Sequence, residues 1–209
     1  MRVGEHLQIF EAKEPALKIA FVGNSITYHG PREEVGWFHH WGMAASCEEK
    51  DYVHQAVALL RERFGGVSYA IVQSANWERT FREGDGWQAR YEKLKVFAPD
   101  VVCIRLGENI LREELTKPDL KEYLRGMVHF FAEGCRQVII TDCFWRREAL
   151  DNLWKELCEE EGYTFCKISD IYEDESMMAL GQFEYKAVAL HPSDKGMRAI
   201  AERIVDVVE

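Results

Sequence analysis

Lys18-Ile-Ala-Phe-Val-Gly-Asn-Ser-Ile-Thr27 is the stretch of the chain that decides its fold. After the lysine the stretch is apolar and partly β-branched, so it predicts a buried strand over residues 18–22. The turn-forming pair Gly23-Asn24 ends that strand, and Ser25 follows at once. In an α/β sheet the carboxyl end of a strand is where reactive groups are exposed. Ser25 is therefore a candidate nucleophile, and the alternative is that it only caps a helix.

Apolar strands and amphipathic helices alternate along the rest of the chain. The predicted strands are 18–22, 67–73, 101–106, 137–141 and 164–168. Strict alternation implies parallel pairing with right-handed crossovers, with helices on both faces of one sheet. We therefore predict a single domain over residues 1–209, a three-layer α/β/α sandwich with a five-stranded parallel sheet. Residues 1–17 are expected to form an N-terminal arm or a small added strand.

Two further motifs carry groups that could act together with Ser25. His191 stands before Pro192, and a helix is expected to open at Ser193. A serine needs a base to take its proton at neutral pH, and a histidine can supply one. Asn109 follows the third predicted strand, and its side-chain amide could donate to a developing oxyanion.

A serine after the first strand, a Gly-x-Asn after a middle strand and a His-Pro before the last helix together resemble the SGNH (GDSL-like) hydrolase family. The resemblance implies the flavodoxin-like strand order 2-1-3-4-5 and an ester hydrolase. It further implies Ser25 as nucleophile, His191 as base, and an oxyanion hole made by the Ser25 N–H and the Asn109 amide.

The sequence departs from the family pattern at the acid of the triad. The family has an aspartate three residues before the histidine, and here that position is Val188. Either a backbone carbonyl orients His191 and leaves a Ser–His dyad, or Glu184 supplies the carboxylate, or the site is inactive. We favour the dyad. Asp194 is expected in the first turn of the last helix, where the helix dipole favours an anion.

Smaller departures affect the oxyanion hole and its surroundings. The family's second motif supplies a glycine N–H, but residues 74–78 contain no glycine, so Asn76 is our substitute donor. The family usually has aspartate in place of Asn24. Arg105 is expected to pair with a neighbouring carboxylate such as Glu78. Glu108 is expected either to bind a polar group of the substrate or to be a solvated loop residue.

Composition narrows the class of protein further. The chain has 209 residues and a formal net charge of −10, which disfavours nucleic acid or an anionic membrane as partner. No apolar run approaches the length of a membrane span, and the first seventeen residues do not resemble a signal peptide. The six cysteines lack the spacing of a metal site or a disulfide scaffold, so we expect free thiols in the cytoplasm.

The leading functional hypothesis is a serine esterase that hydrolyses small polar acyl esters without any metal or organic cofactor. An O-acetylated carbohydrate is the favoured substrate, because aromatic residues near the expected rim could stack on sugar rings; these are Tyr28, Trp37, Trp77 and Trp145. Within the enzymes, the alternative is a lysophospholipase or thioesterase. Outside them, the alternative is a non-catalytic flavodoxin-like binding module.

Overall fold

The computed structural model describes residues 6–209, so residues 1–5 of the predicted arm lie outside the described part. Its sheet has six strands: β1 (Leu7–Phe10), β2 (Leu17–Gly23), β3 (Val67–Gln73), β4 (Val101–Arg105), β5 (Gln137–Thr141) and β6 (Thr164–Cys166). Their order is β1-β3-β2-β4-β5-β6. Five of these strands run parallel to one another, in the spatial order β3-β2-β4-β5-β6. This is the predicted order. The sixth strand, β1, pairs antiparallel with β3 at the edge, and it is the small added strand that was one of the two alternatives for residues 1–17.

The parallel strands are apolar along nearly their whole length, and they are buried on both faces of the sheet. Successive residues of β2 enter opposite halves of the core: Ile19 and Phe21 pack into one apolar cluster, Ala20 and Val22 into the other. The alternation follows from the two-residue period of side chains along a strand. Both faces of the sheet therefore need a covering layer of helices.

Within residues 6–209, seven α-helices accompany the sheet: α1 (Tyr52–Phe64), α2 (Trp77–Thr80), α3 (Glu92–Phe97), α4 (Leu120–Ala132), α5 (Glu148–Glu161), α6 (Lys186–Ala189) and α7 (Asp194–Asp206). Helices α1 and α7 bury their apolar stripes on one face. Helices α3, α4 and α5 bury theirs on the other. The predicted three-layer α/β/α sandwich is confirmed.

Two helices differ from what the sequence predicts. Ser46-Cys-Glu-Glu49 has the pattern of a capping box and predicts a helix that starts at Ser46. Helix α1 instead begins after Asp51, whose carboxylate accepts the His54 N–H at 2.8 Å, and Ser46 donates its hydroxyl to Asp194 at the start of α7, at 2.6 Å. The spacing of Trp87, Tyr91, Leu94 and Phe97 predicts a second helix, but residues 85–91 form 3₁₀ turns and only α3 is α-helical.

Among residues 6–209, no helix is both long enough and apolar enough to cross a bilayer.

Candidate active site

Ser25 lies in a tight turn directly after β2, and the sequence around it explains that turn. A Cβ on Gly23 would lie 1.8 Å from Thr27 Oγ1 and 3.1 Å from the Arg105 carbonyl oxygen, so only glycine fits there. The Thr27 and Tyr28 N–H groups both donate to the Asn24 carbonyl at 3.0 Å and close the turn. No helix starts at Ser25, so the helix-cap alternative is wrong. The side chain is partly exposed.

The structure brings His191 to Ser25. Nε2 of the imidazole lies 2.9 Å from Ser25 Oγ, and Nδ1 lies 2.8 Å from the Ala187 carbonyl oxygen. A carbonyl oxygen only accepts, so Nδ1 carries the hydrogen of the neutral ring. Nε2 is then left with its lone pair towards the serine hydroxyl. A backbone carbonyl therefore sets the tautomer that a general base needs.

His191 is held by rigid neighbours and is almost fully buried. Helix α6 precedes it, Pro192 follows it, and Ser193 caps α7 by accepting the Gly196 N–H. The Trp145 indole packs edge-on against the imidazole, with ring centroids 4.9 Å apart. Burial lowers the pKa of His191 to about 4, although the bond to Ala187 opposes that shift. The imidazole is thus neutral at physiological pH.

Asn109 lines the same cavity as Ser25, and its amide is held on both sides. Its Nδ2 donates to Glu78 Oε2 at 2.6 Å, and its Oδ1 accepts from Arg79 Nη2 at 2.8 Å. Because an amide nitrogen has two hydrogens, one remains after the bond to Glu78. The arrangement fits a donor to an oxyanion. The Ser25 N–H, the other predicted donor, meets no acceptor within residues 6–209.

The loop that carries Asn109 is fixed by Gly107, Glu78 and Arg147. Gly107 has φ +138°, and a Cβ there would meet the Leu150 side chain at 2.6 Å. Its N–H donates to Glu78 Oε1 at 2.5 Å, and the Asn109 N–H donates to the same oxygen at 3.2 Å. Arg147 Nη1 donates to the Gly107 carbonyl at 2.6 Å. The N–H groups of Gly107 and Asn109 and the carbonyl of Gly107 therefore all have hydrogen-bond partners.

A buried polar cluster of Asn24, Glu78, Arg105 and Glu108 lies beneath the site. Arg105 pairs with a neighbouring carboxylate, as predicted, but that partner is Glu108, at 2.5 Å, and not Glu78. The side chain of Glu108 is only 4% exposed, so this residue is neither solvated nor available to a substrate. Burial, together with the nearby Glu108 charge, raises the pKa of Glu78.

Asn24 occupies the centre of this cluster, which gives a physical reason for an amide where the family usually has aspartate. Its Nδ2 donates to Glu108 at 2.7 Å and to Glu78 at 3.2 Å, while its Oδ1 accepts from Arg105. An aspartate could not donate to either carboxylate. It would also place a third negative charge beside a single guanidinium in a buried site, which is costly.

Two sequence-predicted site residues do not join the cavity. Glu184 is exposed and lines a separate groove with Phe38, and the His191 Nδ1 is bonded to Ala187 instead. Glu184 therefore does not supply the missing carboxylate. Asn76 stands at the start of α2, and Ala75, not Asn76, is among the residues that line the cavity.

The cavity around Ser25 has a volume of about 320 Å³. In the described part of the chain it is lined by Ser25, His29, Arg32, Val35, Met43, Gln73, Ala75, Arg79, Asn109, Tyr185, Ala187, Val188 and His191. The prediction that aromatic residues line the rim of the cavity is wrong. Trp37 and Trp77 are buried in the core, and Trp145 packs on His191. Tyr28 is also buried, with only 7% of its surface exposed.

Sequence reasoning missed the polar groups that give the cavity its charge. Arg32 comes from the long loop after Ser25, and Arg79 comes from α2. For Arg79 a signal was available, because α2 follows the carboxyl end of β3, at the same sheet edge as Ser25. For Arg32 no signal existed, since its loop has neither helical nor strand periodicity.

Comparison with protein-family models gives no match, and comparison with curated proteins gives none. Solved structures do match. The chain resembles a family 3 carbohydrate esterase from Clostridium thermocellum, with TM-score 0.61 and 16% identity over 91% of this chain and 94% of that one. It resembles a candidate GDSL-like lipase from Parabacteroides merdae, with TM-score 0.60 and 19% identity over 92% and 95%. A two-domain esterase active on acetylated mannans matches with TM-score 0.56 and 17% identity, over 92% of this chain and 49% of that one. The chain therefore has the fold of GDSL/SGNH esterase and lipase structures, as the sequence predicted.

Proposed function

We propose that this chain is a serine esterase that hydrolyses small polar acyl esters through a Ser25–His191 dyad. The observation that carries the proposal is the pair of contacts on one imidazole: Nε2 to Ser25 Oγ at 2.9 Å and Nδ1 to the Ala187 carbonyl at 2.8 Å. One ring nitrogen is oriented and the other accepts the serine proton. A serine so placed is an activated nucleophile.

The reaction proceeds by acyl transfer. His191 takes the Ser25 proton as Oγ attacks the ester carbonyl, and the Ser25 N–H and Asn109 Nδ2 donate to the oxyanion. The histidine then returns the proton to the leaving alcohol, and a water attacks the acyl-enzyme by the same route. Loss of one such donor typically costs about 10²–10³ in turnover, so Asn109 carries a large share of the catalysis.

Within this class, we propose an O-acetylated carbohydrate as substrate. Two structures of the same fold belong to a carbohydrate esterase and to an esterase active on acetylated mannans. The cavity is lined mainly by polar side chains, and its volume of about 320 Å³ suits a short acyl group. Hydrolysis of p-nitrophenyl esters should therefore decline from acetate to longer acyl chains.

The test is covalent labelling combined with kinetics. A fluorophosphonate probe should label the wild-type protein at Ser25, and Ser25→Ala should abolish both labelling and p-nitrophenyl acetate hydrolysis while the circular dichroism spectrum is unchanged. Glu184→Gln is the matched control, and its turnover should stay within about tenfold of wild type, or 1.4 kcal/mol. Full activity in Ser25→Ala would overturn the esterase proposal, and a collapse in Glu184→Gln would overturn the dyad.

A further inference from the structure

The cavity around Ser25 is cationic although the protein as a whole is acidic. The chain has a formal net charge of −10. Yet Arg32 and Arg79 both line the cavity, and none of its lining residues in the described part of the chain is Asp or Glu. A pocket of sign opposite to that of its protein concentrates charge where a ligand binds.

The charge of Arg79 is not neutralised by a carboxylate. Its guanidinium donates to the neutral Asn109 amide at 2.8 Å, and within residues 6–209 it forms no ion pair. Four of its five N–H donors are therefore left for a ligand.

The charge of Arg32 is only weakly compensated. Its Nε pairs with Glu34 at 3.1 Å, but these side chains are 54% and 68% exposed, so water screens the pair. Among the described residues, its two terminal nitrogens donate to no acceptor. The fork of a guanidinium group matches a carboxylate in geometry and charge, and two such groups line this cavity.

His29 lines the same cavity, and the charges of both arginines affect its pKa. Burial is the largest cause that lowers the pKa of His29, and the charges of Arg32 and Arg79 lower it further. Its Nδ1 contacts the Gly30 carbonyl at 2.6 Å. The imidazole thus stays neutral, with its N–H given to the Gly30 carbonyl, and the positive charge of the cavity comes from Arg32 and Arg79.

We propose that Arg32 and Arg79 form a subsite for a carboxylate of the substrate, so that the esters this chain prefers are anionic. The inference rests on the proposed esterase function and narrows it, from polar esters in general to acylated acids such as an acetylated acidic sugar. The carboxylate could belong to the alcohol or to the acyl part, and the experiment separates the two.

The experiment compares esters that differ in charge and little else. On the alcohol side the pair is 4-acetoxybenzoate and 4-acetoxybenzamide. On the acyl side it is the 4-nitrophenyl monoester of succinate and that of succinamate. In at least one pair, kcat/KM should be about tenfold higher for the acid, because Arg–carboxylate bonds are charge-assisted. Near-equal values in both pairs would overturn the subsite.

Substitutions assign the preference to the two arginines. Arg32→Met and Arg79→Met should each reduce the acid-to-amide ratio of kcat/KM, and the double variant should bring it close to one. Arg32→Lys and Arg79→Lys keep the charge and should retain part of the ratio. The matched control is Arg198→Met, which removes an exposed arginine that pairs with Glu202 at 2.6 Å, on α7 and outside the cavity. A ratio unchanged in the double variant would contradict the proposal.

A binding measurement keeps this inference separate from the esterase proposal. In the Ser25→Ala protein, calorimetry should show an acid binding about tenfold more tightly than its amide in the pair that shows the kinetic preference: 4-hydroxybenzoate against 4-hydroxybenzamide for the alcohol side, or monomethyl succinate against methyl succinamate for the acyl side. The difference should shrink at high salt because charges near the surface are screened. Hydrolysis without this preference would refute the subsite alone. The preference without hydrolysis would support the subsite and refute the esterase.

Discussion

At the scale of single residues, His191 is distinguished by what its second ring nitrogen contacts. The Ala187 carbonyl fixes the tautomer but carries only a partial negative charge. It therefore stabilises an imidazolium less than the carboxylate of a triad would. Burial disfavours the imidazolium and outweighs the bond to Ala187, so the pKa of His191 falls to about 4.

The pH dependence of hydrolysis follows from this pKa. The base must be neutral to act, so activity is lost as pH falls through the pKa of the folded protein. For a neutral ester, kcat/KM should stay level from neutral pH down to about pH 5 and reach half its plateau near pH 4, not near the ordinary histidine value of about 6.5. A pH–rate profile measures it. Loss of activity centred between pH 6 and 7 would show that the pKa of His191 is not lowered.

The same shift also affects stability. An unfolded histidine takes up a proton near its ordinary pKa, whereas folded His191 does so only near pH 4. Between these values the unfolded state binds more protons, so the free energy of unfolding falls as pH is lowered through that window. The profile should therefore be recorded only where circular dichroism shows the protein folded.

At the scale of elements, α2 connects the buried cluster to the loop that carries Asn109. Glu78 in α2 accepts from the Gly107 N–H, the Asn109 N–H and Asn109 Nδ2. It lies too deep to touch a substrate, being fully buried. We propose that Glu78 positions the Asn109 amide, the proposed donor to the oxyanion.

Glu78→Gln should lower kcat and leave KM nearly unchanged. One carboxamide oxygen cannot replace two carboxylate oxygens, and its NH₂ would oppose an N–H donor of the loop. A loss of about tenfold to a hundredfold in kcat is expected, as for other small misplacements of catalytic groups. Steady-state kinetics with p-nitrophenyl acetate test this, with thermal unfolding as the control for stability. If KM rises and kcat does not fall, Glu78 is not a positioning residue.

The elements show how far sequence reasoning reaches. The bounds of β3 and β5 coincide with the predicted strands, because apolar runs there end abruptly at polar or turn-forming residues. Ser25, Asn109 and His191 are brought together as expected, since the carboxyl ends of parallel strands share one edge. The partner of His191 Nδ1 could not be chosen in advance, because every residue of the preceding loop offers a carbonyl. The pairing of Arg105 with Glu108 depends on a turn, Gly107, whose conformation the pattern does not specify.

At the scale of the whole molecule, the sheet ends in two short strands. β1 has four residues and β6 has three, while β3 next to β1 has seven. Short edges limit the unpaired backbone available to another chain. The Phe10 ring also stacks on Tyr69 of β3, with centroids 4.5 Å apart, which adds apolar contact to the pairing. β1 thus protects the longer strand β3.

Deletion of residues 1–10 should destabilise the protein and promote self-association. β3 would become an exposed edge of seven residues, five of them apolar, and a template for pairing with a second copy. Light scattering after size exclusion should show species larger than those of the full chain, and the melting temperature should fall. An unchanged melting temperature with an unchanged size would show that β1 is dispensable.

The contact between Ala187 and His191 has a consequence for how this site can change through mutation. A carboxylate partner is encoded by one codon, and a single substitution can remove it. A peptide carbonyl is present whichever residue occupies position 187, so substitution there does not delete the group that orients the imidazole. The site is therefore sensitive to spacing and not to the identity of one side chain: the five residues from Ala187 to His191 form the end of α6 and the turn after it. A one-residue insertion or deletion in that interval would shift the carbonyl away from Nδ1.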